Sequence, residues 1–192
     1  MKLLPIFTAL LLTISFVPVK SQDALPKGFA MGSVILADNS EVTGYIKDDI
    51  KNKASVVLIP AAGGKKIIYD GDKLNGATVG GTKYICIKGD FFKLVCEGEI
   101  SFLQKASDAS SKPVYAGNEP MFINGTNGKP GDYFIYNNKQ KELHLINEKN
   151  LAEVTAKQFA GCGPALAKAK ESEKDITLLK EAVIIYNNRD AR

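Results

Sequence analysis

Ser33-Val34-Ile35-Leu36-Ala37, then Asp38-Asn39-Ser40-Glu41, then Val42-Thr43-Gly44-Tyr45-Ile46: an apolar run, a turn-forming tetrad and a β-branched run. Val, Ile, Thr and Tyr suit a pleated, half-buried surface. Asp and Asn punctuate strands because their side chains bond the adjacent backbone and tolerate left-handed conformations. The stretch therefore predicts an antiparallel hairpin. Two more pairs follow it: Ser55–Ile59 with Lys65–Tyr69 across Pro60-Ala61-Ala62-Gly63-Gly64, and Lys83–Lys88 with Phe91–Glu97 across a two-residue turn at Gly89-Asp90. Ile100–Lys105 extends the series after Gly98. Residues 106–119 read as a polar connector with a strand fragment at Val114-Tyr115. Met121-Phe122-Ile123, Asp132–Tyr136 and Glu142–Ile146 then resume strand character, separated by a loop over Asn124–Gly131 and a turn over Asn137–Lys141.

The period changes at Asn150. Asn150-Leu151-Ala152-Glu153 has the form of a capping box, in which Asn150 accepts from the third helical amide and Glu153 reaches back. Ala152, Ala156, Phe159 and Ala160 follow at helical spacing until Gly161. Pro164 suits the first position of a second helix, where its missing N–H costs nothing. Ser172 with Asp175 reads as the start of a third, whose Ile176, Leu179, Ala182, Val183 and Tyr186 form one apolar stripe. Strands first and helices last indicate an α+β fold. The expected architecture is an antiparallel, hairpin-rich twisted sheet or partial barrel over about residues 30–146. A C-terminal segment of two to three helices, over 150–188, packs on it.

At the N-terminus, Met1-Lys2 precedes an uncharged apolar run from Leu3 to Val17, and Val19-Lys20-Ser21 suits a signal-peptidase cut before Gln22. The run is shorter than the roughly 20 residues a spanning helix needs. Residues 1–21 are thus expected to be a signal peptide and 22–192 a single exported domain, not integral to the membrane after cleavage. Cleavage removes Lys2 and Lys20, lowering the net charge from +4 to +2 with both signs interspersed. No basic stripe for phosphate neutralisation remains, so nucleic acid is a poor partner.

Few chemistries are announced. Cys86 and Cys96 invite a disulfide in an exported chain. The two-residue turn at Gly89-Asp90 would set Cys86 opposite Lys93 and Cys96 opposite Lys83, on opposite faces, so no bond is expected between them. Cys162, between Gly161 and Gly163 ahead of a helix, is the candidate thiolate. The single His144 lies in a strand and has no motif linking it to Cys162. Asp70-Gly71-Asp72 fails as a calcium loop because Leu74 and Gly81 stand where ligands are required. No CxxC pair, GxSxG elbow, GxxxxGK[ST] loop or GxGxxG fingerprint occurs in the sequence. Paired carboxylates are not legible in sequence, because they need only meet in space. Asn124-Gly125-Thr126 is a glycosylation sequon, meaningful only in a eukaryotic secretory pathway.

Gly32–Asp38, Val42–Ile46, Tyr133–Tyr136, Glu142–Leu145, Lys149-Asn150-Leu151, Phe159–Leu166 and Tyr186-Asn187-Asn188 together make a spaced apolar and Gly pattern. In it the chain resembles a group of exported, β-rich Bacteroidota proteins of unknown function. The resemblance implies a periplasmic, outer-membrane-associated or extracellular location in a Gram-negative bacterium and transfers no site residues. The expectation is a non-catalytic binding or structural module of the envelope, taking a protein, glycan or envelope component, with a sheet edge as the favoured docking mode. No catalytic, cofactor or metal residue is assigned. The rival expectation is an envelope hydrolase or thiol enzyme using Cys162 or a carboxylate pair.

Overall fold

The structure, a computed structural model, describes residues 26–61, 64–111, 113–116, 119–122, 125–173 and 175–189. Residues 1–21, expected to be a signal peptide, the loop residues Ala62-Gly63, Ile123, expected in a strand, and the sequon's Asn124 lie outside the described residues. The strands are β1 (Phe29–Leu36), β2 (Glu41–Asp49), β3 (Ser55–Pro60), β4 (Ile67–Asp70), β5 (Leu74–Val79), β6 (Thr82–Ile87), β7 (Asp90–Cys96), β8 (Ile100–Lys105), β9 (Pro113–Ala116), β10 (Glu119–Phe122), β11 (Tyr133–Asn137) and β12 (Glu142–Ile146). The helices are α1 (Ile50–Lys53), α2 (Leu151–Gln158), α3 (Gly163–Glu171) and α4 (Leu179–Asn187). The fold is α+β.

Ten strands form one antiparallel sheet in the order β12-β11-β8-β7-β6-β5-β1-β2-β3-β4. Two meanders meet at β1 and β5, where Gly32 faces Val79 and Val34 faces Ala77. One side of the first meander carries Val34, Ile46, Val56 and Leu58, joined by Leu74 and Ala77 from β5 and Phe91 from β7. The sheet curls around this cluster until Gly71, just past β4, makes an isolated bridge to Gly89. Curling demands close backbone approach. A Cβ on Gly32 would stand 2.0 Å from the Thr78 carbonyl, and one on its partner Gly44 would stand 2.2 Å from that of Ile59. Glycine is what lets the strands bend there.

On the same side of the second meander the helices form a lid. Ile100, Phe102, Ile135 and Ile146 pack with Leu151, Phe159, Ala165, Leu179, Val183 and Tyr186. Phe102 stacks on Tyr133 at 5.2 Å, and each buried side chain of this size contributes about 1.5–3 kcal/mol. The expected α4 stripe is therefore the face that closes the core. Asn187 at its end accepts from the Ile100 N–H at 3.0 Å and donates to the Ile100 carbonyl at 2.8 Å, fixing helix to sheet.

Several local expectations are corrected. The Asp70–Lys73 turn leads into a strand, β5, which the sequence reading passed over. The segments Val114-Tyr115 and Met121-Phe122 pair with each other as a separate ribbon, β9 with β10, and do not join the main sheet. Asn150 makes no capping bond on α2: its Oδ1 accepts from Asn147 N–H and its Nδ2 donates 2.8 Å to the Leu145 carbonyl. The buried face of α2 is Leu151, Thr155 and Gln158, with Phe159 just beyond, while Ala152 and Ala156 face solvent. The larger side chains win the core because they remove more apolar area from water. Asp175 caps a 3-10 turn at Ile176–Leu178 through the Thr177 N–H, without help from Ser172.

The β6–β7 register is also corrected. Cys86 faces Phe91 and Ile87 faces Asp90, so the two-residue turn is Lys88-Gly89, one position earlier than expected. Both turn residues have positive φ, 50° and 84°, as a type I′ turn requires. A lysine in the left-handed region costs about 1 kcal/mol, whereas Asn-Gly is the favoured pair there. Lys88→Asn is accordingly expected to stabilise the fold by roughly 0.5–1 kcal/mol in urea unfolding.

Candidate functional site

Each sequence candidate has a definite place. Cys162 caps α3 with 6% exposure and packs in the helix core. Burial, reinforced by the Asp90 carboxylate, pushes the Cys86 thiol up, and burial does the same to Cys96. All three cysteines are unbonded. His144 lies in β12 with Nε2 at 3.2 Å from Glu142 Oε2 and 3.1 Å from Gln158 Nε2. Among the described residues no hydrogen bond joins it to Cys162. Asp70 ends β4 and its carbonyl accepts from the Lys73 N–H in a tight turn. Among the described residues no group of three or more His, Cys, Asp or Glu is placed to hold a metal ion.

The carboxylates whose acidity is clearly perturbed all move the same way. Asp38, Asp108 and Asp175 are held below the usual range by the hydroxyls of Ser40, Ser110 and Thr177. Hydrogen bonds from cationic side chains do the same to Glu99 (Lys139, then Arg189) and Glu142 (Lys157). A general acid needs the opposite push. An opening of about 660 Å³ lies between the β12–α2 turn and the end of α3 and is edged by Glu148, Glu173 and Asp175. Asp175 already serves the Ile176–Leu178 turn there.

The densest polar chemistry is a pair that sequence reading missed. Asp90 and Lys105, both fully buried, meet at 3.1 Å between Oδ2 and Nζ. Asp90 Oδ1 accepts from the Ala109 N–H at 2.6 Å, and Oδ2 accepts from the Thr126 N–H and hydroxyl at 2.8 and 2.6 Å. Lys105 Nζ donates to the carbonyls of Thr126 and Gly128 at 2.8 and 3.0 Å. The pair thus pins the loop from Gly125 to Gly131 across the sheet face opposite the helices. A signal did exist: Asp90 precedes Phe91-Phe92 and Lys105 ends an apolar strand, so both charges sit inside runs that should be buried. Sequence alone does not say that they meet.

Beside this loop is a smaller cleft of about 240 Å³. Phe134, Leu143, Leu145 and Ile87 form its floor, and Lys88 and Lys141 stand at its mouth. These lysines are the tips of two hairpins, and both hold left-handed backbone, at φ 50° and 59°. No ion pair involves either among the described residues.

The convex side of β1–β4 is the remaining feature. Met31, Tyr45 and Ile59 align across three strands, and Phe29, Lys47, Val57 and Ile68 align across four. Met31 is 59% exposed and Ile68 64%. The Gly71 N–H bonds the Ala54 carbonyl, and antiparallel bonding alternates, so the Ile68 backbone points away from β3. At the opposite edge the Leu145 carbonyl is already occupied by Asn150. Among the described residues no helix is long and apolar enough to cross a membrane.

Fold and surface together define an α+β protein built on a curled ten-stranded antiparallel sheet with a helical lid. No protein-family model matches the chain, nor does any curated protein or solved structure. Its functional reading therefore rests on the geometry above.

Proposed function

We propose that this is an exported, non-catalytic binding module of the bacterial envelope that receives a protein segment on the convex β1–β4 face. The observation that carries the reading is the exposure of Met31 and Ile68 on two adjacent cross-strand rows of that face, the second of which ends at β4, where the Ile68 backbone has no partner among the described residues. Clustered apolar exposure beside unpaired strand backbone is what a partner strand needs: main-chain bonds for affinity and side-chain contacts for specificity. Lys66 lies 5.5 Å from the Phe29 ring centre on the same face and adds a cationic rim. The buried Cys162, the raised Cys86 and Cys96 thiols and the lowered carboxylates support binding over catalysis.

Met31→Lys with Ile68→Lys tests the reading. Both sites are exposed, so the unfolding midpoint should move by no more than about 0.5 kcal/mol. Mild cross-linking in cells should yield a discrete adduct with the natural chain and none with the variant. Equal adducts from both chains would overturn the proposal. So would rapid labelling of Cys162 alone in the folded protein near neutral pH, which would favour a thiol enzyme. Export itself is tested by the mass of the mature chain, expected to begin at Gln22.

A further inference from the structure

We infer that the cleft between the Lys88 and Lys141 turns is a second, small-molecule site that takes an apolar-tailed carboxylate. The inference is independent of the docking face proposed above. Three features converge on it. The floor is apolar: Phe134 is buried, while Ile87, Leu143 and Leu145 are half-buried around it, a surface suited to a hydrocarbon chain. The mouth is cationic, with Lys88 and Lys141 and no carboxylate among the described residues that line it. The volume, about 240 Å³, equals that of about eight water molecules, room for a chain of roughly that many heavy atoms.

The backbone supplies the fourth argument. Among the described residues, four other than glycine hold positive φ: Asn39, Ala54, Lys88 and Lys141. Asn39 is the residue type that tolerates this conformation, whereas lysine gains nothing from it. Two hairpins nevertheless place lysine in the strained position, and both lysines edge the same cleft. Strain kept at a site against the local preference for Gly or Asn points to a use for the side chain. A carboxylate held between the two ammonium groups, with its tail along Leu143 and Leu145, uses both the charge and the floor.

Octanoate is the probe, with octanol as its neutral counterpart, followed by titration calorimetry and amide chemical shifts. Octanoate is expected to bind saturably, shift the amides of Phe134, Leu143 and Leu145, and weaken as salt is added. Octanol should bind at least tenfold more weakly. Lys88→Asn with Lys141→Asn should reduce octanoate affinity at least tenfold while leaving the unfolding midpoint unchanged or higher. Lys88→Gln with Lys141→Gln removes charge without relieving the backbone and should lose binding equally. Absence of saturable binding up to about 10 mM, a range in which even weak contacts of this size register, would overturn the site. Equal affinity for octanol, undiminished binding by the variants, or shifts confined elsewhere would overturn it too.

Discussion

Lys105→Met is expected to destabilise the protein by about 3–5 kcal/mol, because it strands a fully buried carboxylate. Asp90 would keep its three remaining donors, from Ala109 and Thr126, yet lose the one counter-charge within hydrogen-bond reach among the described residues. Asp90→Leu should cost at least as much. It leaves the buried ammonium with carbonyl acceptors only and frees the amides of Ala109 and Thr126. The double variant is the informative one. With both charges gone the desolvation penalty goes too, so its loss should fall well short of the sum of the single losses, by about 2 kcal/mol or more. Urea unfolding of the four chains measures this directly. Domains carry only about 5–15 kcal/mol in total, so either single change should be conspicuous. Single losses below about 1 kcal/mol would mean that the pair is wet and the Gly125–Gly131 loop loosely held.

Gly32→Ala should be the most damaging single-methyl addition at the junction of the two meanders. The new Cβ would lie 2.0 Å from the Thr78 carbonyl oxygen, backbone against backbone, with no rotamer to relieve it. The junction of β1 with β5 is where the meanders share a ladder, so displacing Thr78 disturbs the whole curl. Overpacking alone costs roughly 1–3 kcal/mol, and this clash lies at or beyond the upper end. For a chain of this size a 3 kcal/mol loss lowers Tm by about 6–12 °C. Gly163→Ala is the control: it opens α3, has nothing within 4 Å of the added methyl, and should be neutral or slightly stabilising. Equal Tm values for the two variants would show that the sheet bends elsewhere.

Much of this architecture is local and therefore legible. The β-branched runs and turn tetrad along Val34–Ile46 and the alternation along Glu142–Ile146 are local signals that need no partner to be read, and the Ile176–Tyr186 stripe is their helical counterpart. Other features depended on what each polar group met. Asn150 has good capping chemistry, but its Oδ1 accepts from the Asn147 N–H while its Nδ2 donates to the Leu145 carbonyl at the sheet edge, so no acceptor is turned to the helix amides. The β6–β7 turn falls at Lys88-Gly89 and not one residue later because Asp90 is drawn into the ladder opposite Ile87, where Lys105 and Thr126 can satisfy it. The Lys88–Lys141 cleft was equally hidden, since its lysines lie 53 positions apart and neither belongs to a motif.

By itself, then, the sequence determined a hairpin-rich body, a helical tail and the apolar face by which that tail attaches. Short-range periodicity and turn chemistry encode those properties within a few residues. Only the tertiary structure decided that β1, besides its hairpin partner β2, would pair with the distant β5, that Asp90 and Lys105 would neutralise each other beneath the Gly125–Gly131 loop, and that two strained lysines would share one cleft. Each of these is a contact between distant segments, where the deciding energy is desolvation or backbone approach, and neither exists until the chain has closed on itself.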